Sequence, residues 1–310
     1  IAEGFGCCMY DEREGRFLPV FLDITIPALN FLIMFTVGTS LTFSDFKRVA
    51  RVPKTVIVAS LAQIIFLPLA GVIVVNMLSL NEFIVAGLLL IAASPGGSIS
   101  NFYVYLAQAN VALSIVMTGL SCLAAVVTMP LVMAGFEHFM NVPETFHVPI
   151  DKLILALILF QLLPIILGML FRYFKPVFVI RHKRWLRGGS LLYLSALVIL
   201  VICEAPEAFT LDFAQTFKAS ASMALLAILA GVLVGWMLKL EAYDFWPVVN
   251  ELMVQNIALA STIAVTVFHQ ARFASFAAGY FLVQVPFAIG LILLSCRSIV
   301  AKQRRHNNIS

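Results

Sequence analysis

Apolar residues run through most of the chain in stretches long enough to cross a bilayer, parted by short polar segments. At about 20 residues per crossing, they predict nine helical spans. These lie near residues 17–41, 53–76, 82–106, 109–136, 149–173, 186–204, 219–238, 243–268 and 272–297. The joining segments are short, so residues 1–310 read as one all-α, polytopic membrane domain. Two spans are interrupted. Ser94-Pro95-Gly96-Gly97-Ser98-Ile99-Ser100-Asn101 lies inside the third, and Glu251-Leu252-Met253-Val254-Gln255-Asn256 inside the eighth. Backbone groups freed at membrane depth need partners from protein, water or ions. One interruption in each half of the chain is the pattern of a transporter with a binding site near the midplane.

Composition and charge sharpen this picture. The chain is 62% hydrophobic and 12% charged, which excludes a soluble domain of this length. Cys7, Cys8, Cys122, Cys203 and Cys296 lack the spacing of a metal or redox site and read as structural or incidental thiols. With the N-terminus outside and the C-terminus cytoplasmic, only Arg13, Arg16, Lys152, Lys218 and Arg272 fall outside, and the rest of the 20 Lys and Arg fall inside. The positive-inside rule selects this orientation. Arg181-His182-Lys183-Arg184 then reads as a topology anchor near anionic lipid. Spans 1–4 enter from outside and spans 6–9 from inside, so the two sets form inverted repeats, each interrupted in its third member.

Glu251 sits well inside its span, where an ionisable group is expensive and points to function; the structural alternative is a carboxyl paired with buried polar neighbours. Gln255, four residues on, shares its helical face, and Asn256 lies on an adjacent one. Pro95 removes a donor and disfavours helix at Ser94, while Gly96 and Gly97 permit unusual backbone angles. The third span is expected to break there rather than merely kink. Ser100 and Asn101 add neutral oxygens. Ser114 and Thr118 could present two more from span 4, though membrane hydroxyls commonly bond their own helix. Gln63 is a buried amide of span 2. One carboxylate with several hydroxyls, amides and freed carbonyls is a hard-oxygen set, suited to alkali or alkaline-earth cations. A single carboxylate is little charge for calcium, so sodium is the expected ion, with proton coupling through Glu251 the alternative. His138, His147, His182, His269 and His306 fall at span ends or in loops. The chain has no HExxH motif or nucleophile–base set, and no enzymatic activity is expected. Asn308-Ile309-Ser310 reads as an accidental glycosylation sequon on the cytoplasmic end.

These residues resemble the bile acid:sodium symporter family over essentially every span. The likeness is carried by Met34-Phe35-Thr36-Val37-Gly38, Asp45-Phe46-Lys47-Arg48-Val49, Ser94 to Asn101, Leu113-Ser114-Ile115-Val116-Met117-Thr118, and Glu251 with Gln255-Asn256. The resemblance implies a panel domain of spans 1, 5 and 6. It also implies a core domain of spans 2, 3, 4, 7, 8 and 9, with two discontinuous helices crossing at the core's centre. It implies two sodium ions. One would lie among Ser100, Asn101, Ser114, Thr118 and Glu251. The other would lie among Gln63, Glu251, Gln255 and the carbonyls of Leu252 and Val254. Ser98, Asn256 and Gln284 would face substrate. Met253 stands where the family often has glycine, which bears on the shape of the second crossover.

The expected function is therefore sodium-coupled import of an organic anion, a bile acid or a smaller carboxylate such as pantoate, across the plasma membrane by alternating access. Sodium would neutralise Glu251 and order the broken helices, whose freed N-termini favour an anion. Nucleic acid is not an expected partner. A proton-coupled or uncoupled carrier on the same fold is the nearest alternative. A channel or ligand-sensing receptor comes next, and a channel would need a continuous polar stripe rather than islands.

Overall fold

Backbone inside a bilayer must satisfy its own polar groups, which favours helix, and the chain is helical nearly throughout. A computed structural model of the protein describes residues 10–11, 16–17, 19–42, 44–45, 53–140, 146–204 and 212–307. Cys7, Cys8, Arg13, residues 46–52 of the first basic turn, residues 205–211 and the sequon at 308–310 lie outside the described residues. A two-residue antiparallel pairing, Tyr10–Asp11 with Arg16–Phe17, precedes the helices. In chain order these are α1 (Pro19–Ser40), α2 (Pro53–Met77), α3 (Glu82–Ala93), α4 (Ser100–Leu106) and α5 (Val111–Phe139). Then come α6 (Ile150–Leu157), a π-helical turn Ile158–Leu162, α7 (Leu163–Phe174), α8 (Pro176–Arg181) and α9 (Lys183–Glu204). The last four are α10 (Phe213–Met237), α11 (Ala242–Met253), α12 (Ile257–Thr266) and α13 (Ala271–Asn307).

Five helical segments are long and apolar enough to cross a membrane: α2, α5, the continuous α6–α7, α10 and most of α13. Ile24–Ser40, Glu82–Ala93, Gly188–Cys203 and Ile257–Thr266 are apolar but shorter, and two of these belong to the interrupted stretches. Most boundaries lie within a few residues of the sequence expectation. The exceptions are α10, which starts at 213 instead of 219, and α13, which runs to 307 instead of 297. Lys218, expected outside the spans, is exposed on the helix, where its aliphatic stem can lie along the surface with the charge in water. The π-turn and α8 were not expected.

The exterior is apolar, and a few polar groups are buried inside. Leu131, Leu229 and Trp236 are more than half exposed, while Asn30, Gln161 and Glu251 are fully buried. An apolar exterior of that extent suits lipid contact. Inside, glycines let helices touch. A Cβ on Gly168 would fall 2.2 Å from the Phe35 carbonyl oxygen, which locks α7 against α1. A Cβ on Gly231 would fall 2.7 Å from Val249 Cα, so α10 lies directly on α11. The π-turn serves the same packing: Asn30 Nδ2 donates to Phe160 O at 3.0 Å, and Gln161 Nε2 donates to Cys122 O in α5. At one end of the molecule Gln215 Oε1 accepts from Asn81 N at 2.9 Å. Elsewhere Asn110 binds Tyr243 O and Asp244, and Trp246 Nε1 donates to Ser298 Oγ at 2.7 Å.

Candidate functional site

Both polar islands are breaks, and each break completes the other. Ser94 ends α3 in an extended conformation (φ −70°, ψ 150°), as the residue before a proline should. Its hydroxyl donates to Leu90 O at 2.7 Å. Val254 ends α11 in a similar conformation. Gly96 then pairs with Gln255 as an antiparallel bridge, Gly97 N donates to Val254 O at 2.8 Å, and Asn256 N donates to Pro95 O at 2.9 Å. Gly96 N also finds Ser121 Oγ at 3.3 Å. Each break thereby supplies backbone partners to the other.

The glycines are needed here for space more than for the unusual angles expected from the sequence. Neither Gly96 nor Gly97 has left-handed φ, but a Cβ on Gly97 would meet Gln255 O at 2.4 Å. A Cβ on Gly96 would meet Glu251 Oε1 at 2.1 Å and Gln63 Nε2 at 3.3 Å. Met253 fits as the last residue of α11, fully buried, with its carbonyl accepting from Tyr280 OH at 2.7 Å. The second break therefore forms without glycine, and Tyr280 of α13 steadies it.

Glu251 is fully buried at this junction. Its Oε2 accepts from Ser100 Oγ at 2.8 Å and Thr118 Oγ1 at 3.0 Å. Its Oε1 has no hydrogen-bond partner among the described residues. Ser114 lies beside the carboxyl, and its buried hydroxyl has no partner at full hydrogen-bond geometry among the described residues. Gln255 Oε1, Asn101 Oδ1 and Gln63 Nε2 are likewise buried and unpartnered. Gln255 Nε2 donates to Leu252 O at 2.5 Å. Buried polar atoms are nearly always paired, and the free carboxylate oxygen with the Ser114 hydroxyl beside it is an exception to that rule. Hydroxyl, amide and carboxylate oxygens fit a hard ion. Among the described residues no three His, Cys, Asp or Glu side chains converge. A cavity of about 20 Å³ beside Gln63, Ser94, Pro95 and Ser121 has room for one water or bare ion.

The three residues expected to face substrate are not together. Ser98 lines a cavity beside α1 and α9, along with Asn101. Asn256 is 2% exposed, caps α12 by accepting from Leu259 N at 3.1 Å, and directs its amide nitrogen at Met34 Sδ. Gln284 is fully buried in α13 with neither polar atom partnered, away from the cavity lining.

Comparison with known proteins places this geometry. The sodium bile acid symporter family matches residues 27–211, more than half of the chain. The chain belongs to that family. Among relatives, a protein named "Probable sodium/metabolite cotransporter BASS2, chloroplastic" from Oryza sativa subsp. japonica is 33% identical over 71% of this chain and 51% of its own length. The sodium-dependent transporter YocS of Bacillus subtilis, described as uncharacterized, is 29% identical over 75% of this chain and 71% of its own. The rat hepatic sodium/bile acid cotransporter is 27% identical over 78% and 67%. This chain spans about half the length, or less, of the plant relatives it matches.

Sequence reading missed several residues of this sodium bile acid symporter family member. Gln161 and Asn30 hold the π-turn, yet a single extra residue in a helical turn leaves no mark on composition. Ser121 and Tyr280 hold the two breaks from neighbouring helices. Ser121 lies one turn beyond Thr118, and that spacing was a usable signal. Arg172, read only as a charge setting orientation, lines the same cavity as Ser98.

Proposed function

We propose that this chain is a secondary carrier that moves an organic anion inward together with sodium. The supporting observation is Glu251, fully buried where two broken helices cross, with one carboxylate oxygen doubly bonded by hydroxyls and the other unpartnered. One sodium is held among Ser100, Asn101, Ser114, Thr118 and Glu251. A second is held by Gln63, Glu251, Gln255 and the carbonyls of Leu252 and Val254. Both carbonyls already accept a hydrogen bond, and each keeps a second lone pair for an ion. Ser98 faces the substrate, and Asn256 and Gln284 reach it when the domains move.

Nine spans carry this site, with the N-terminus outside and the C-terminus in the cytoplasm of the plasma membrane. Support comes from the basic residues and from the loops: Asn81 with Gln215, and Asn110 with Tyr243 and Asp244, join segments assigned to the same side. Spans 3 and 8 occupy equivalent places in inverted repeats, and their first halves, α3 and α11, each have 12 residues. Helices α1, α7 and α9 pack as a panel, and the other spans form the core. Sodium offsets the charge of Glu251 and fixes both breaks in one geometry. Core and panel then rock together about the loaded site.

The reading is tested on protein purified into nanodiscs, by measuring thermal stability in sodium, potassium and lithium chloride with and without bile acids and small carboxylates. Sodium should raise the melting temperature selectively, and a transported anion should raise it further only when sodium is present. Stabilisation that follows pH and ignores sodium would mark a proton-coupled carrier instead.

A further inference from the structure

A cavity lies where α1, the segment just before α4, α7, α8 and α9 meet. Thr36, Ser40, Ser98, Asn101 and Ser190 give it neutral polar atoms, while Leu186, Leu191 and Leu194 form an apolar wall. Arg172 is the one charged residue among the described residues that line it. Arg172 Nη1 donates to the last carbonyls of α1, Thr39 O at 3.0 Å and Ser40 O at 2.8 Å. Those two bonds cap a helix C-terminus and fix the guanidinium plane. Its other N–H groups have no partner, and no carboxylate pairs with it, among the described residues.

A half-buried guanidinium in a membrane protein ordinarily has a counter-charge. Here five donors in a rigid fork are anchored on one side and free on the other. We infer that Arg172 recognises the anionic group of the substrate, with the substrate's apolar body lying along Leu186, Leu191 and Leu194. This rests on the carrier reading above and adds to it where the negative charge is read. Arginine suits a planar carboxylate or sulfonate, which it can hold by two parallel bonds. The cavity volume, about 130 Å³, falls short of the roughly 300–1,000 Å³ of a site enclosing a drug-sized ligand. It seats an anionic head or a small carboxylate, so a steroid body would extend outward over the leucine wall.

The test uses the full chain in nanodiscs with saturating sodium, comparing affinities for two acids and their uncharged amides: glycocholate against its glycinamide, and pantoate against its amide. Wild-type protein should prefer at least one acid over its amide by about tenfold or more. Arg172→Gln can still cap the α1 carbonyls but carries no charge. It should erase that preference by weakening the acid while leaving the amide and half-saturating sodium unchanged. Arg172→Lys keeps the charge without the fork and should fall between, which preserves the test if the Gln variant does not fold. Equal loss of acid and amide in both variants would make Arg172 a helix cap only and overturn the inference. So would an undiminished acid preference in Arg172→Gln, and in both cases the carrier reading would stand. Wild-type protein that binds neither acid in sodium would remove the carrier reading and this inference together.

Discussion

Glu251→Gln protein accumulates no organic anion from a sodium gradient, although it reaches the membrane in normal amount. The substitution keeps the side chain's size and can still accept from Ser100 and Thr118. What it removes is the one group of the proposed oxygen cluster able to carry a full negative charge. Losing a charged partner costs about 2–3 kcal/mol, which is roughly 30–150-fold in half-saturating sodium. Because both proposed ion sites share this carboxylate, sodium activation should also lose its cooperativity. Glu251→Ala should be worse: it takes the carboxylate acceptor from Ser100, leaves Thr118 only the Ser114 carbonyl, and opens a void at a fully buried position. Uptake of radiolabelled anion into vesicles against sodium concentration, normalised to protein, checks both variants. Wild-type half-saturation in the Gln variant would show that Glu251 does not hold the ion.

Gly96→Ala is expected to be nearly as damaging, and for a different reason. Its methyl group would sit 2.1 Å from Glu251 Oε1 and 2.9 Å from its Cδ, so the carboxyl must leave its place. Overpacking a dense interior costs about 1–3 kcal/mol, which is roughly 5–150-fold in ion affinity if the strain falls on the site. Gly135→Ala is the control. A Cβ there meets nothing within 4 Å, and alanine is favoured over glycine in a helix by about 1 kcal/mol. Transport by Gly135→Ala should match wild type, while Gly96→Ala should lose most sodium-driven uptake. If the two variants behave alike, glycine at 96 has no part in shaping the site.

The contrast between these glycines shows where sequence reading stops. Hydrophobic length and the two polar islands were enough to place the breaks in helices 3 and 8 of the expected series. Ser94-Pro95 carries its own local geometry, and an extended Ser94 follows from it. That Gly96 faces a carboxylate 155 residues away is a tertiary fact, and no local spacing contains it. Ser114, Thr118 and Gln63 could be picked out as polar groups in apolar helices. Their convergence on Glu251 depends on how α2 and α5 pack against the breaks. Arg172 is the clearest case of a residue correctly located and incompletely read. As one positive charge among many it set orientation, and only packing against α1 placed its guanidinium in a cavity. Gln161 lay in a span expected to be regular helix, because a π-turn adds a residue without altering the apolar pattern. Met253 left the shape of the second crossover open from sequence; it is the last residue of α11, and the helical angles it takes there suit any residue.

Sodium coupling through a shared carboxylate has one direct electrical consequence. Two sodium ions entering with one monovalent anion carry one net positive charge inward, and each charge crossing the field gains about 2.3 kcal/mol per 100 mV. The decisive measurement records anion flux and charge movement together in reconstituted vesicles at clamped potential. Wild-type protein should carry about one positive charge inward per monovalent anion, move faster at inside-negative potential, and fall silent in both readouts without sodium. Anion flux that persists without sodium, or that moves no net charge with a monovalent anion, would contradict two-sodium coupling at Glu251.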